Sequence, residues 1–117
     1  MIKTAVVGLG KMGLSHAAIL GAHPDVDLVA VCDTSQIVLS AFKQYNSKIK
    51  VYDDFREMYA NERLDAVFLV TPTKLHYLMA KPAIEKGLHV FCEKPLCFSI
   101  DEGEELVALA EKHKVNN

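Results

Sequence analysis

The sequence predicts an α/β domain built as a doubly wound parallel sheet, with helices on both faces and strand order 3-2-1-4-5. Three observations predict it. A short apolar run, Thr4-Ala5-Val6-Val7, ends in Gly8-Leu9-Gly10-Lys11-Met12-Gly13, and a helical pattern follows at once. Short, continuous apolar runs then alternate with helical patterns along the whole chain, as strands buried on both faces require. Finally, the residues capable of chemistry cluster just after the carboxyl ends of those runs. That is where open parallel sheets bind ligands.

The elements follow in order. Strands are expected over Ile2–Val7, Leu28–Cys32, Ile49–Tyr52, Ala66–Val70 and His89–Cys92. The first helix is expected over Lys11–Leu20, stopped by Gly21 and Pro24. The second starts from Thr34 or Ser35 and buries Val38, Leu39, Ala41 and Phe42. Asp54 and Glu57 form a capping box for a short third helix. The fourth covers Lys74–Glu85 and ends at Gly87, with Pro82 expected to kink or restart it. Ser99 and Glu102 cap the fifth, whose acidic start and basic end suit the helix dipole. Right-handed crossovers lead to the stated strand order.

Composition narrows the function classes. The 13 Lys and Arg nearly balance the 15 Asp and Glu, so no basic surface argues for nucleic acid. No apolar run reaches the ~18 residues of a membrane span, and the N-terminus makes a poor signal peptide. A cytoplasmic protein without a membrane partner is expected. Cys32, Cys92 and Cys97 form no Cys-x-x-Cys pair, which leaves no zinc signature and no metal site. Cys32 and Cys92 fall on strands separated by two others, too far apart for a disulfide at ~4.8 Å per strand.

The glycine loop carries the chemistry. Gly8 turns the chain tightly out of the strand, Gly10 lets backbone approach a pyrophosphate, and Gly13 lets the new helix pack closely. The helix's first N–H groups then face the anion. Asp33 lies about 20 residues beyond the loop, where a carboxylate reaches the hydroxyls of an adenosine ribose. The spacing of Gly8 and Gly13 also fits an ATP-binding loop, but Leu14 stands where that loop needs lysine. Each residue also has a plainer reading. Asp33 could only cap the second helix, and His76 could be an ordinary first-turn residue. Glu93 and Lys94 could form a solvated pair, and Asp53 and Asp54 could serve capping. His16, His23, His89 and His113 read as surface or packing residues.

The loop Gly8–Gly13, the acid at Asp33, Thr71-Pro72-x-x-x-His76, and Gly87-x-His89-Val90-x-Cys92-Glu93-Lys94-Pro95 together resemble the nucleotide-binding Rossmann domain of the Gfo/Idh/MocA oxidoreductases. Glu93-Lys94-Pro95 is the specific part, and the resemblance runs from Met1 to about Lys114. It implies that Gly8, Leu9, Gly10, Lys11, Met12 and Gly13 wrap a pyrophosphate. Asp33 would hold the adenosine ribose with help from Ser35, and Thr71, Pro72, Thr73 and His76 would line the cleft. Glu93 would lie by the nicotinamide ribose. Lys94 would be the catalytic residue, reaching the substrate oxygen. A lysine can relay a proton or stabilise negative charge at an oxygen whose carbon loses hydride. The implied cofactor is NAD, preferred over NADP because a carboxylate repels a 2′-phosphate. The implied substrate is a sugar, cyclitol or related alcohol.

Residues 1–117 are therefore expected to form one NAD(P)-binding domain without the second α/β domain that builds the family's substrate pocket and oligomer interface. A fifth strand with a bare outer edge favours a piece of a longer enzyme; the resemblance implies that this enzyme is a homo-oligomer through the missing domain and that this chain alone is inactive. A stand-alone, non-catalytic dinucleotide-binding or interaction module is the alternative. A methyltransferase also uses a glycine loop and an acid, but Glu93-Lys94-Pro95 argues against it.

Overall fold

The computed structural model describes residues 1–93 and 99–116. Five strands, β1 (Ile2–Val7), β2 (Val26–Cys32), β3 (Lys50–Tyr52), β4 (Ala66–Leu69) and β5 (His89–Cys92), form one sheet in the order β3-β2-β1-β4-β5. All four pairings are parallel. Four helices connect them, α1 (Lys11–Ala22), α2 (Gln36–Tyr45), α3 (Phe55–Asn61) and α4 (His76–Glu85), and α5 (Ile100–His113) follows β5.

Side-chain alternation along β1 divides the core in two. Val6 points into a cluster with Leu9, Ala17, Leu28, Val31, Leu39 and Phe42, under α1 and α2. Ala5 and Val7 point the other way, into a larger cluster with Met58, Leu69, Ile84, Leu106 and Ala110, under α3, α4 and α5. One irregularity interrupts the β1–β2 register, where Thr4 pairs with Leu28 but Ala5 pairs with Ala30.

Local chemistry sets the boundaries. The Ser35 hydroxyl accepts the Val38 N–H, the Asp54 carboxylate accepts the Arg56 N–H, and the Ser99 hydroxyl accepts the Glu102 N–H. The three caps thus fall where the sequence puts them. Strand β2 starts two residues earlier than its apolar run, because Val26 and Asp27 pair with Ile2 and Lys3. Helix α1 continues through Gly21, since one internal glycine costs only about 1 kcal/mol. A 3₁₀ turn over Thr73–Leu75 precedes α4. Pro82 neither ends nor restarts α4, which runs through it to Glu85. Pro82 has no N–H to offer the carbonyl of Leu78 one turn earlier, and Leu78 is an exposed residue.

After α5, Lys114 adopts the left-handed conformation of a helix end, with φ +57°. The chain then returns to the sheet. The Asn116 carbonyl accepts the Val90 N–H at 2.9 Å, and the Asn116 N–H donates to His89 Nδ1 at 2.9 Å. The outer edge of β5, expected to be bare, is met there by Asn116.

The register aligns the carboxyl ends of all five strands. Tyr52, Cys32, Val7, Leu69 and Cys92 form one row across the sheet. The next residues extend the ladder by one bond each. Asp33 N–H donates to Tyr52 O, Gly8 N–H to Cys32 O, Val70 N–H to Val7 O, and Glu93 N–H to Leu69 O. Asp53, Asp33, Gly8, Val70 and Glu93 therefore follow one another along a single rim.

Candidate functional site

The three loop glycines have different tasks. Gly8 has φ +96°, and a Cβ there would lie 2.6 Å from the Val70 carbonyl oxygen. Both backbone conformation and space demand glycine. A Cβ on Gly13 would fall 1.8 Å from the Gly8 carbonyl oxygen. The close packing expected of Gly13 is thus against the turn, with the Val70 side chain next at 3.8 Å. Gly10 differs from both. Its φ of −68° suits any residue, and nothing lies within 4 Å of a Cβ placed there. Nothing described inside the protein requires glycine at this position, so its missing side chain leaves room outside.

That room faces a helix start. Gly10 is the N-cap of α1 and has no side chain to cap with; its carbonyl accepts the Leu14 N–H. The N–H groups of Lys11, Met12 and Gly13 precede the helix's own hydrogen-bond ladder, and they favour an anion. Leu9 contributes differently. Its side chain is buried in the core under α1 and α2, and its N–H is already engaged.

Asp33 is the group that engages it. One carboxylate oxygen accepts the Leu9 N–H at 2.7 Å, and the other accepts the Ser35 N–H at 2.8 Å. The carboxylate ties the glycine loop to the entrance of α2, while Ser35 makes the helix cap. Each oxygen retains a second acceptor site. Asp33 can therefore hold the loop and still receive hydroxyl donors.

Asp33 lines a cleft of about 780 Å³ together with Val7, Gly8, Gly10, Cys32, Thr34, Val70, Thr71 and Pro72. This size is normal for a small-molecule site. The sequence reading did not anticipate two further stretches of its wall. Asp53, Asp54, Phe55 and Arg56 come from the β3–α3 corner, and Leu75, Leu78 and Met79 from the entrance to α4. Their position after strand ends is the signal that could have found them. The Arg56 guanidinium lies 4.6 Å from the Phe55 ring centroid and 3.8 Å from Asp54. An extended ligand with an anionic middle and a hydroxyl-bearing end matches this open loop, acceptor and largely apolar wall.

Other expected site residues stand apart from that cleft. Lys11 and Met12 are exposed at the loop rim. Ser35 and Thr73 are not among the cleft's lining residues. His76 is buried to 1 % exposure, and its Nε2 donates to the Thr71 carbonyl at 2.8 Å. It braces the Thr71-Pro72 turn from behind. Glu93 lies at the rim beyond β4, with Oε1 2.9 Å from His16 Nε2. Lys94 lies outside the described residues, as does Cys97.

Burial pushes the Cys32 thiol up to about 12, with Asp33, Asp54 and Asp53 adding repulsion. The buried thiol beneath the cleft therefore stays protonated and unreactive. Cys32 is a free thiol. Among the described residues no three His, Cys, Asp or Glu side chains are placed to hold a metal. Among the described residues no helix is long and apolar enough to cross a membrane.

Known proteins share this arrangement. A family model described as "Oxidoreductase family, NAD-binding Rossmann fold" matches residues 2–116. An uncharacterized oxidoreductase, YrbE of Bacillus subtilis, is 32% identical over 97% of this chain and 33% of its own length. Apo scyllo-inositol dehydrogenase from Lactobacillus casei superposes with a TM-score of 0.90 at 30% identity, over 97% of this chain and 34% of that one. The WlbA dehydrogenase of Chromobacterium violaceum, solved with NADH and UDP-GlcNAcA, gives 0.89 at 32% identity, over 97% and 33%. The chain spans about a third of the length of each of these proteins. With the glycine loop, the acid after β2 and the 3-2-1-4-5 sheet in place, the chain belongs to the Gfo/Idh/MocA oxidoreductase family, as its NAD-binding Rossmann domain.

Proposed function

We propose that this domain binds NAD in preference to NADP, as the cofactor half of an oxidoreductase acting on a sugar, cyclitol or related alcohol or ketone. The observation that carries the reading is the contrast within the loop. Gly8 and Gly13 are closed off by backbone, whereas the Cβ position of Gly10 is open, and Gly10 lines the same cleft as Asp33. A loop needed only for packing would have no use for a third glycine with free space around it.

The residues present fit the cofactor. The N–H groups at the start of α1 would receive the pyrophosphate, with the Lys11 ammonium screening its charge. The spare acceptor sites of Asp33 would take the adenosine ribose hydroxyls, and a phosphate on that ribose would meet a carboxylate. Thr71 and Pro72 would form the opposite wall, braced by His76. Glu93, at the far end of the rim, would stand beside the second ribose. When bound, the nicotinamide supplies or accepts a hydride. Lys94 would hold or release a proton at its Nζ next to the substrate oxygen, as the family resemblance implies. The inositol dehydrogenase and the UDP-GlcNAcA complex among the relatives support a polyol or sugar substrate. Substrate selection, turnover and oligomerisation would belong to a longer protein carrying this domain.

Calorimetric titration of the 117-residue chain with NADH and then NADPH tests the reading. Micromolar binding with NADH tighter is expected. A folded chain that binds neither, or binds NADPH more tightly, would overturn it.

A further inference from the structure

The sequence reading leaves His16 as an ordinary surface or packing residue, yet it occupies a particular place. It lies in the second turn of α1, three residues after Gly13, on the helix whose start faces the open loop. Its Nε2 is 2.9 Å from Glu93 Oε1, although 77 residues separate the two. A carboxylate only accepts, so Nε2 carries the proton of this bond.

The ring is held in place. Its centroid is 5.4 Å from that of Phe91 and 5.8 Å from that of Phe68, and those two rings stack at 4.9 Å. Phe68 and Phe91 sit opposite each other in the β4–β5 register. They form an aromatic shelf on the part of the sheet next to α1. The pair is only partly exposed, with side chains at 21% for His16 and 30% for Glu93. A charge-assisted bond there is less screened than one in open water.

The position of Glu93 gives the bond a consequence. A dinucleotide lies across the rim with its two halves on either side of β1. Asp33, after β2, serves one half, and Glu93, after β5, stands on the other. Asp33 is fixed by two backbone N–H groups, whereas the Glu93 carboxylate is held by a side chain, that of His16. We infer that His16 is a positioning residue. It aims the Glu93 carboxylate at the nicotinamide half of the cofactor and links that end of the cleft to the helix behind the glycine loop.

This rests on the proposed dinucleotide site, and the test separates the two. Affinities for NADH and for ADP, which lacks the nicotinamide half, are measured for the wild-type chain, His16→Ala and His16→Gln. Loss of one charge-assisted hydrogen bond should weaken NADH binding by about tenfold in His16→Ala. ADP should stay within about twofold. His16→Gln, which can still donate to Glu93, should recover most of the loss. His16→Ala in a Glu93→Ala background should add little, because Glu93→Ala already leaves His16 without its acceptor.

A wild-type chain that binds neither ligand would remove the site itself. Binding that is unchanged in His16→Ala, or weakened equally for NADH and ADP, would overturn the positioning role. Should His16→Ala not fold, His16→Leu and His16→Gln together carry the decision: NADH affinity lost in His16→Leu and recovered in His16→Gln supports the role, and no loss in His16→Leu, or a loss as large for ADP as for NADH, refutes it.

Discussion

Replacing Gly10 and Gly13 in turn separates a glycine kept for a ligand from one kept for the fold. At Gly13 an alanine Cβ would begin 1.8 Å from the Gly8 carbonyl oxygen. Both partners are backbone, so relief requires the start of α1 or the loop to move by more than 1 Å. Overpacking of this kind costs typically about 1–3 kcal/mol, and more where no side chain can yield. With roughly 4 °C per kcal/mol for a domain of this size, Gly13→Ala should lower Tm by about 4–12 °C or more. At Gly10 two small effects oppose each other. Alanine restricts the unfolded chain, worth about 0.4–1 kcal/mol, but is a poorer N-cap than glycine by a similar amount. Gly10→Ala should therefore unfold within a few degrees of wild type. Gly10→Val should also fold, yet neither variant leaves room for a pyrophosphate against the loop. Thermal unfolding followed by circular dichroism, paired with NADH titration, reads both quantities. A Gly13→Ala chain as stable as wild type, or a Gly10→Val chain that binds NADH normally, would refute the assignment.

Three other outcomes follow from the site. Asp33→Ser should narrow the preference for NADH over NADPH. A unit charge about 4 Å from a 2′-phosphate is worth about 1 kcal/mol in water and about 4 at an effective dielectric of 20, so the affinity ratio should fall at least fivefold; an unchanged ratio would remove Asp33 from the ribose. Because the Cys32 thiol ionises near 9.0 when unfolded and at about 12 when folded, its contribution to stability is complete below pH 9. It declines as pH rises towards 12, by up to about 1.4 kcal/mol per pH unit, and Cys32→Ala should flatten that decline in denaturant melts. Lys94→Ala, in a longer enzyme carrying this domain, should reduce kcat far more than cofactor affinity; near-normal kcat would end its catalytic assignment.

Much of the fold is legible because each element carries its own signal. Continuous apolar runs mark strands covered on both faces, and Ser35, Asp54 and Ser99 mark three helix starts through bonds to their own backbone. What is harder to read depends on partners distant in sequence. Asp27 joins β2 only because Lys3 lies opposite, and α4 passes through Pro82 because its packing outweighs one lost hydrogen bond. The site divides in the same way. Gly8, Gly10 and Asp33 stand out by spacing. The Asp33 bond to Leu9 spans 24 residues and the His16 bond to Glu93 spans 77. Neither has a local pattern, since each arises from the row of aligned strand ends. Arg56 and Leu78 reach the cleft wall for the same reason. His76 reads as a cleft residue, but its ring turns inward to the Thr71 carbonyl.

The central claim is that the loop's open side and Asp33 together receive the cofactor. The most direct test is a two-dimensional amide NMR titration of the chain with NADH. The account predicts progressive shifts at Gly10, Lys11, Met12, Gly13, Asp33 and Thr71. Amides on the outer face of α5 should stay still. Shifts confined to regions outside the glycine loop and the Asp33 corner, with the loop amides unmoved at saturation, would contradict it.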